Sequence, residues 1–549
     1  LKENNKLRFA SKGDKIVEIN NKVIDNSLEY LTTFEVPEEW KDLEYKDNQK
    51  LTFNESINLL KGDTLPVSSF IKNKEGIFEG TTTKEEKRNI AEEVPCWISE
   101  NCIECNQCAF SCPHGVIRPF LLDKKDSKVE SIPSLLPKDK EFTIGINYEE
   151  CTGCGVCTLA CPGKLGKKAL EMVPNKDKEN NFEYLLKNNV NDKYQSNLLT
   201  VKNVSFKEPK FEYSGACAGC GETPYITNLT RVFNDNLMIA NATGCSSIYS
   251  GSVPSMPYSI PWASSLFEDN TEYGYGILQG INIKRDKIKK YMKEYPRNKL
   301  FKKWIENMDN YDICKEVKEN IDYKKHPYLN DMKDYILPKQ LWVLGGDGFA
   351  YDIGYGGLDH VLSKKDNINI LVLDTEVYSN TGGQSSKSSN IGSVASFTSN
   401  GKDNYKKDLA RIAMCYPHVY VASVNIGYNK EQYLKAIKEA SLHNGPSLII
   451  AYSPCIEHGI KTGMQHSQSN GYLATKCGYF LTFRYNPDTK KFSLDSKEPE
   501  FDKYEDYLMT ENRFASLVRK DKERARLLLE EQKQWAIDRY NYYKKISEE

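Results

Sequence analysis

Residues 341–384 decide the fold of this chain. They begin Leu341-Trp-Val-Leu-Gly-Gly-Asp-Gly-Phe-Ala350 and end Leu373-Asp-Thr-Glu-Val-Tyr-Ser-Asn-Thr-Gly-Gly-Gln384. The apolar runs 341–344 and 368–373 predict two short buried strands, with a tight turn at 345–348 and a helix over 349–362 between them. A strand, a helix and a second strand make a β-α-β unit with parallel strands. The sequence therefore predicts an α/β fold with a parallel sheet.

Two oxygen-bearing residues, Asp347 and Thr375, each follow one of these predicted strands directly. The carboxyl ends of parallel strands meet at one edge, where open α/β sheets bind ligands. Gly346 and Gly348 allow a diphosphate to approach the backbone closely, and the carboxylate between them can hold a bridging magnesium ion. The pattern predicts a metal-assisted diphosphate site, although a lone Gly-Asp-Gly is also common in plain turns.

The pair resembles the thiamine diphosphate motif, in which Gly-Asp-Gly is followed, after a helix and a strand, by a second oxygen ligand. Most members of that superfamily carry Asn where this chain has Thr375. The resemblance implies three protein ligands for magnesium: the Asp347 carboxylate, the Thr375 hydroxyl and the Val377 carbonyl.

Bulk composition narrows the class of protein. The 549 residues are enough for several domains, each with its own core. Lys and Arg total 75 and Asp and Glu total 76, without a long basic stripe, which argues against nucleic acid or an anionic membrane as partner. No apolar run approaches the roughly eighteen residues of a membrane span. Because the sequence opens at Leu1 rather than at Met, we expect a fragment or a processed half.

Cysteine usage points to metal ligands. Twelve of the sixteen cysteines fall in Cys-x2-Cys arrays or at strand ends near Asp347. Thiolate ligands of this kind are typical of a reducing compartment, so we expect the cytoplasm or the matrix of an anaerobic organelle. We expect the other four to be buried thiols, and these are Cys96, Cys314, Cys415 and Cys477.

Two runs match the spacing C-x2-C-x2-C-x3-C-P: Cys102-Ile-Glu-Cys-Asn-Gln-Cys-Ala-Phe-Ser-Cys-Pro113 and Cys151-Thr-Gly-Cys-Gly-Val-Cys-Thr-Leu-Ala-Cys-Pro162. Two copies are typical of a ferredoxin with two [4Fe–4S] clusters, in which the fourth cysteine of each run ligates the other cluster. The predicted ligand sets are Cys102, Cys105, Cys108 and Cys161 for one cluster, and Cys151, Cys154, Cys157 and Cys112 for the other. The alternative is a pair of zinc sites, but zinc knuckles lack the third cysteine and the x3-C-P ending.

Four more cysteines predict a third [4Fe–4S] cluster. Cys217 and Cys220 precede a predicted helix, whereas Cys245 and Cys455 follow predicted strands at 237–242 and 447–452. All four would reach the sheet edge that carries the diphosphate site. By spacing alone, Cys-x2-Cys is shared with zinc ribbons and redox dithiols, so the prediction depends on the neighbouring cofactor site.

Composition divides the chain into four predicted segments. Residues 1–32 would be the tail of an upstream domain, in which the apolar pattern over 16–25 fits a last strand and helix. A family resemblance of later stretches implies that this is a coenzyme A-side domain. The others are a short connecting domain at 33–95 with Glu86-Lys-Arg88, a small α+β ferredoxin-like domain at 96–205, and the large α/β domain at 206–549.

Several stretches resemble one family, the pyruvate:ferredoxin oxidoreductases. They are Ser214-Gly-Ala-Cys-Ala-Gly-Cys-Gly-Glu-Thr-Pro-Tyr225, Ala242-Thr-Gly-Cys-Ser-Ser247, Gly346-Asp-Gly-Phe-Ala-Tyr-Asp-Ile-Gly-Tyr-Gly-Gly-Leu-Asp-His360 and 373–384. The ferredoxin-like insert and the Glu-Lys-Arg connector fit as well. The resemblance covers the C-terminal half of the single-chain enzyme.

The resemblance implies roles for particular residues. Thiamine diphosphate would be contacted by Glu222, by the Cys245 backbone and by two loops made of Gly346, Asp347, Gly348, Phe349, Thr375, Glu376, Val377, Tyr378, Ser379 and Asn380. Asn380 would also hydrogen-bond pyruvate, and Asn20 would match a contact to coenzyme A.

The implied reaction is oxidative decarboxylation of pyruvate with coenzyme A to acetyl-CoA and carbon dioxide. Electrons would pass singly through three [4Fe–4S] clusters to ferredoxin or flavodoxin. The N-terminal half of the enzyme would complete the site, in a homodimer. The alternatives are another 2-oxoacid substrate, part of a pyruvate:NADP oxidoreductase or, from another class, a non-catalytic polyferredoxin electron carrier.

Simpler interpretations stay open for several residues. The Gly- and Ser-rich run 378–400 fits a phosphate-covering loop or a flexible linker. Glu222 could merely stabilise the start of its helix. His360 and His458 are assigned no role, and the aromatic run 535–543 predicts an amphipathic packing helix.

Overall fold

The computed structural model describes residues 1–10, 13–41, 51–73, 76–176, 180–194, 196, 198–252 and 255–548, so part of the predicted connecting segment 33–95 lies outside the described residues. The chain forms two compact units, Leu1–Ile71 and Lys72–Glu549. None of the helices in these ranges combines the length and the apolar composition that a membrane span needs.

The first unit is helical where it is described. Its helices are α1 (Lys2–Phe9), α2 (Asp14–Asn26) and α3 (Phe53–Asn58). The strand expected within 16–25 is therefore wrong, because the whole run belongs to α2. The buried Asn5 side chain donates to the Val17 carbonyl at 3.0 Å and to Asn21 Oδ1 at 2.9 Å, which ties α1 to one face of α2.

The second unit begins with two small antiparallel sheets. Their strands are β1 (Glu93–Trp97), β2 (Ile117–Leu122), β3 (Ile132–Pro133), β4 (Glu141–Ile146) and β5 (Leu170–Pro174). Strand β1 pairs with β5, and the other three have the order β2-β4-β3. The associated helices are α4 (Gln107–Ser111), α5 (Val156–Ala160), α6 (Phe182–Asn188) and α7 (Val201–Ser205). The predicted boundary at 95/96 lies inside β1.

The rest of this unit is built on one large sheet. Its strands are β6 (Leu237–Ala242), β7 (Trp262–Ser265), β8 (Gln340–Gly345), β9 (Asn369–Asp374), β10 (Tyr420–Val424), β11 (Ser447–Tyr452), β12 (Phe483–Asn486) and β13 (Lys491–Leu494). Their order is β13-β12-β10-β11-β9-β8-β6-β7. The six strands from β10 to β7 are parallel to one another. Strand β12 pairs antiparallel with β10 on one side and with β13 on the other. The predicted parallel α/β sheet is present.

Helices cover both faces of this sheet. The helices of this region are α8 (Thr223–Phe233), α9 (Cys245–Ile248), α10 (Asn270–Lys293), α11 (Lys299–Glu306), α12 (Tyr311–Asn320), α13 (Pro327–Asn330), α14 (Asp347–Ala350), α15 (Tyr355–Leu362), α16 (Leu409–Ala413), α17 (Lys430–Leu442), α18 (Ser467–Lys476), α19 (Tyr504–Leu508), α20 (Asn512–Lys520) and α21 (Lys522–Glu548). Of these, α11, α12 and α13 pack with the end of α10 in a separate core. Alternate residues of one strand enter different cores: Val343 belongs to one cluster, and Leu344 to the other. Central strands buried on both faces are typical of doubly covered parallel sheets.

Two local expectations are wrong. The helix expected over 349–362 is split into α14 and α15, because the Gly354 N–H donates to the Gly348 carbonyl at 3.0 Å instead of to that of Ala350. Cys415, expected to be buried, is exposed just beyond α16. Cys314 and Cys477 are buried, Cys96 is partly buried, and none of the sixteen cysteines forms a disulfide.

Candidate functional site

Four neighbouring parallel strands end at one edge of the large sheet. Cys245 follows β6, Asp347 follows β8, Thr375 follows β9 and Cys455 follows β11. These strands are adjacent in the order β6-β8-β9-β11. Because parallel strands present their carboxyl ends together, the sheet places the predicted diphosphate loops and two of the predicted cluster ligands on the same rim.

A cavity of about 360 Å³ lies at this rim. All four cysteines of the predicted third cluster line it, and so do Glu222, Thr375, Ser379 and Asn380. The third cluster was predicted on the assumption that its four cysteines lie beside the cofactor site. The structure brings them into one space, and the exposed side chain of Asn380 is open to a ligand there.

Ser379 joins the two halves of the cavity. Its Oγ lies 2.9 Å from Thr375 Oγ1 and 3.4 Å from the Sγ of Cys455. A predicted magnesium ligand and a predicted cluster ligand are therefore separated by one hydroxyl group.

The three predicted magnesium ligands fit a small hard cation. Thr375 Oγ1 lies 3.0 Å from the Val377 carbonyl oxygen. Adjacent oxygens of an octahedron with bonds of 2.0–2.1 Å are about 2.9 Å apart, so this pair matches one octahedral edge. Asp347 is buried, and its Oδ2 accepts a hydrogen bond from Ser386, whereas its Oδ1 has no partner among the residues that the structure describes. A buried carboxylate oxygen without a hydrogen-bond partner is available to bind a cation.

The pKa of Asp347 indicates that this position favours a bound cation. Burial, together with the nearby Asp374 carboxylate, raises the pKa of Asp347 well above its ordinary value, although the Ser386 hydroxyl and Lys406 act in the opposite direction. A divalent ion bound here would supply positive charge and keep Asp347 ionised.

Buried charges hold the Thr375 loop from behind. The Nζ of Lys406 lies 2.8 Å from Asp374 Oδ2 and 2.7 Å from Glu376 Oε1, and Arg513 pairs with Glu376 Oε2 at 2.8 Å. Burial opposes the ionised form of Glu376, but Lys406 and Arg513 outweigh it and lower its pKa to about 2. Glu376 has φ +60°, the left-handed region. Its side chain thus anchors the loop, and its predicted cofactor contact stays a prediction.

Three other residues predicted to contact the cofactor, Gly346, Gly348 and Phe349, could do so mainly through their backbone atoms. Phe349 is buried in the core, so its side chain faces away from a ligand at the rim. A Cβ at Gly348 would lie 3.2 Å from the Tyr378 ring and 3.4 Å from Phe267, whereas at Gly346 only the Leu373 carbonyl is near, at 3.8 Å. The Gly-Asp-Gly backbone is therefore accessible beside Asp347.

Glu222 is more than a helix start. It occupies the N-cap position of α8, but its side chain makes no capping hydrogen bond there. Instead its Oε2 accepts from the Tyr249 hydroxyl at 2.8 Å, and the residue lines the cavity. Burial raises the pKa of Glu222 to about 7, with the Tyr249 hydrogen bond opposing. A carboxyl near neutrality inside a cavity suits proton exchange with a ligand.

His458, which the sequence left without a role, connects two site loops. Its Nε2 lies 2.6 Å from the Thr375 carbonyl oxygen, and its Nδ1 lies 3.5 Å from the Cys455 backbone nitrogen. The side chain is fully buried. A lone histidine three residues after a cysteine gives no sequence signal for such a link, because its other partner is 83 residues away.

The ferredoxin-like region places the eight cysteines in the two predicted groups. One cavity is lined by Cys102, Cys105, Cys108 and Cys161, and a second by Cys112, Cys151, Cys154 and Cys157. The crossed fourth ligands thus lie where the spacing rule expects them. Within the described ranges, no three His, Cys, Asp or Glu side chains converge on a single ion position.

The second of these cavities adjoins the large one. Burial raises the pKa of the Cys154 thiol, while backbone N–H groups, including that of Gly219, act in the opposite direction by hydrogen bonding. His114, which follows Cys112 and Pro113, lies 3.1 Å from the Ser214 carbonyl through Nδ1. Both contacts connect the Cys112 group to the segment that carries Cys217 and Cys220.

The Glu-Lys-Arg connector packs beside a cluster loop. The Lys87 backbone N–H donates to Glu150 Oε1 at 3.0 Å, and Arg88 Nε lies 3.5 Å from Glu150 Oε2. Glu150 is buried and directly precedes Cys151. Asn20 lies in the first unit, on α2, where its side chain donates to the Ile16 carbonyl at 3.0 Å; its predicted coenzyme A contact stays a prediction.

Three family models match parts of the chain. A 4Fe-4S dicluster domain matches residues 101–165, and the C-terminal TPP binding domain of thiamine pyrophosphate enzymes matches residues 334–451. The connector falls in a domain of unknown function matched at 53–91. Thiamine pyrophosphate is another name for thiamine diphosphate, so these matches confirm the predicted thiamine diphosphate-binding α/β fold and the iron–sulfur content.

Curated relatives match along nearly the whole chain. Pyruvate:ferredoxin oxidoreductase of Moorella thermoacetica is 42% identical over 98% of this chain and 50% of its own. Pyruvate-flavodoxin oxidoreductase of Enterobacter agglomerans is 40% identical over 100% of this chain and 50% of its own. Mitochondrial pyruvate dehydrogenase [NADP(+)] of Euglena gracilis is 36% identical over 98% of this chain and 32% of its own. The chain is therefore a homologue of the pyruvate:ferredoxin and pyruvate:flavodoxin oxidoreductases, and it spans about half the length of the curated relatives it matches.

Proposed function

We propose that this chain carries the thiamine diphosphate and iron–sulfur half of an enzyme that oxidatively decarboxylates pyruvate. Coenzyme A takes the acetyl group, and ferredoxin or flavodoxin takes the electrons. The observation that carries the proposal is the single cavity that Thr375 and Asn380 share with Cys217, Cys220, Cys245 and Cys455. A pure electron carrier has no need of a diphosphate site at that position.

Magnesium and the cofactor would be held by residues at the rim. Asp347, the Thr375 hydroxyl and the Val377 carbonyl would bind the ion, since one of their oxygens lacks a partner and two lie at octahedral spacing. The Gly346–Gly348 backbone would approach the diphosphate. Bound thiamine diphosphate supplies the electron sink needed when carbon dioxide leaves a 2-oxoacid. Glu222 would exchange a proton with it, and Asn380 would hydrogen-bond pyruvate.

The positions of the three cysteine groups suggest the order in which electrons would pass through the clusters. The cavity of Cys217, Cys220, Cys245 and Cys455 would house the first of three [4Fe–4S] clusters. The group around Cys112 comes next, since Cys154 and His114 both contact the 214–219 segment. The group around Cys102 then leads outward, with Cys102 and Cys105 partly exposed to solvent.

The other half of the relatives' length would complete the enzyme. We place the chain in the C-terminal half, with the missing N-terminal half supplying most of the pyruvate and coenzyme A sites and Asn20 adding a coenzyme A contact. The complete enzyme would be a homodimer in a reducing compartment.

The test is anaerobic reconstitution with iron, sulfide, magnesium and thiamine diphosphate, in the presence of that other half. We expect magnesium-dependent binding of thiamine diphosphate and dye reduction that needs both pyruvate and coenzyme A. Replacing pyruvate by 2-oxoglutarate should abolish the reduction. A reconstituted protein that transfers electrons but binds no thiamine diphosphate would instead be an electron carrier.

A further inference from the structure

Arg231 is a fully buried guanidinium without a carboxylate partner. It lies in the last turn of α8 with no exposed surface. Its Nη1 donates to the Ala109 carbonyl at 3.1 Å and to Asn228 Oδ1 at 3.0 Å. Within the described ranges, its Nε and Nη2 have no hydrogen-bond acceptor. In the part of the chain that the structure describes, no Asp or Glu forms an ion pair with it.

Other buried arginines of this chain show what is missing. Arg513 pairs with Glu376 and Glu511, and Arg484 pairs with Glu439 and Asp495. Arg118, near Arg231, pairs with Glu212. A buried charge is costly unless an opposite charge or a sufficient set of acceptors compensates it. Arg285 is also buried, but both its Nη1 and its Nη2 donate to backbone carbonyls. Because Nε and Nη2 of Arg231 lack such acceptors among the described residues, we look for negative charge near Arg231 from another source.

The position of Arg231 identifies that source. Ala109, whose carbonyl it binds, follows Cys108 on α4, and Cys112 comes directly after this helix. Asn228, one turn earlier on α8, donates to the Phe110 carbonyl at 2.8 Å. The guanidinium therefore lies against the short helix whose cysteines enter both ferredoxin-type cavities, Cys108 in one and Cys112 in the other.

The pKa of Arg231 reflects the same surroundings. Burial, with Arg118 as a second cause, lowers it to about 9, while the Cys112 and Cys108 sulfurs act in the opposite direction. No carboxylate contributes. The ionisable groups that act against this lowering are thus cysteine sulfurs, and these become permanently charged only when they ligate metal.

A purely structural interpretation explains less. A neutral glutamine amide could also donate to the Ala109 carbonyl, without the cost of burying a charge. The positive charge itself, and the two unpartnered nitrogens, need a different explanation.

We propose that Arg231 is the shared internal counter-ion of the two ferredoxin-type clusters and raises their reduction potentials. The inference rests on the proposed presence of those two clusters, and not on pyruvate turnover. Each reduction adds one negative charge to a cluster, and a fixed positive charge nearby stabilises the reduced form.

The third cluster should be nearly insensitive to Arg231. Cys220 precedes Arg231 by eleven residues, and α8 fills most of that interval, which corresponds to about 16 Å along a helix. None of the four cysteines in the large cavity acts on Arg231. The third cluster is therefore an internal reference.

The experiment compares Arg231→Met, Arg231→Gln and Arg231→Lys in the full chain, reconstituted anaerobically and titrated by electron paramagnetic resonance. Arg231→Met removes the charge, Arg231→Gln removes it but keeps an amide donor, and Arg231→Lys keeps a charge. The matched control is Arg285→Gln, because Arg285 is also a buried guanidinium that donates to backbone carbonyls, at 2.9 Å for that of Tyr335. Its neighbouring cysteine is Cys314, which belongs to none of the three proposed ligand sets.

We expect more negative potentials for both ferredoxin-type clusters in the Met and Gln variants, with full iron content. We expect smaller shifts in the Lys variant and none in Arg285→Gln. Unchanged potentials in Arg231→Gln would overturn the proposal, and so would an equal shift of all three clusters. If Arg231→Met loses iron, the cluster potentials of Arg231→Gln and Arg231→Lys are compared instead, and equal potentials in these two variants would overturn the proposal. Failure of the proposed function would appear separately, as missing pyruvate-dependent reduction with normal potentials and normal shifts.

Discussion

The Sγ of Cys455 lies 3.4 Å from the Oγ of Ser379, and that oxygen lies 2.9 Å from Thr375 Oγ1. Cys455 follows β11 and Thr375 follows β9, which are adjacent parallel strands. The contact exists because both strands end at the same rim. It makes one hydroxyl the junction between the proposed magnesium site and the proposed third cluster.

Replacing Ser379 by Ala tests this junction. The variant loses a hydroxyl that contacts a cluster sulfur, and hydrogen bonds to sulfur influence cluster potentials. We expect a shifted potential of the third cluster, with the two ferredoxin-type clusters unchanged, measured by redox titration. The control is Ser396→Ala in the same loop, where the exposed hydroxyl donates to the Gly382 carbonyl at 2.8 Å. If the third cluster has the same potential in Ser379→Ala and Ser396→Ala, the Ser379 hydroxyl does not influence this cluster.

Asp347→Asn tests the proposed metal ligand. The orphaned Oδ1 and the charge of Asp347 should both matter for magnesium. Because loss of partners behind a metal ligand already costs 10–100-fold in affinity, we expect binding of thiamine diphosphate with magnesium to weaken by about 100-fold or more, by calorimetry. Iron content should stay unchanged. Asp366→Asn, which alters a carboxylate bound to Tyr275 and Gln279, is the control. Undiminished affinity in Asp347→Asn would show that the diphosphate site lies elsewhere.

His458→Ala tests whether the histidine joins the two loops. Without it, the buried Thr375 carbonyl loses its partner, which should cost about 1–3 kcal/mol of unfolding free energy in urea titrations. His443→Ala removes another buried histidine, which contacts Asp488 and the His418 carbonyl. We expect a similar loss of stability in both variants, but weaker thiamine diphosphate binding only in His458→Ala. If the two variants bind equally well, His458 serves stability alone.

Lys402 gives a pH-dependent prediction. Burial lowers its pKa to about 8, and its Nζ donates to the Ser386 and Ser389 carbonyls at 2.9 and 2.6 Å. The folded pKa lies below the unfolded value of 10.5, so the unfolded chain binds more protons between pH 8 and 10.5. Stability of the native chain, relative to Lys402→Met, should therefore rise across this window. Urea unfolding at pH 7.5 and 10 measures it, with exposed Lys303→Met as control. A constant difference between native and variant chains would contradict the shift.

Much of the fold was predictable because its signals are local. Strands 237–242 and 447–452 were predicted with the bounds of β6 and β11, since each is an apolar run between polar or turn residues. The cysteine spacings likewise gave the two ferredoxin-type groups, which the structure gathers around two cavities.

The rest depends on contacts between distant parts of the chain. The close approach of Gly354 to the Phe267 carbonyl, beside the break between α14 and α15, is one that no local pattern shows. The role of His458 depends on Thr375, and the isolation of Arg231 depends on which carboxylates are absent around it. Glu376 lies in the loop predicted to contact the cofactor, but its side chain forms ion pairs with Lys406 and Arg513. Such partners become visible only in three dimensions.

The most direct test of the account is the iron content of the reconstituted chain and of its Cys455→Ser variant. Three cubanes of four iron atoms predict about twelve per native chain, and loss of one ligand at the large cavity predicts about eight in the variant. About eight in the native chain, or about twelve in the variant, would contradict the claim that a third cluster shares the cavity with the thiamine diphosphate site.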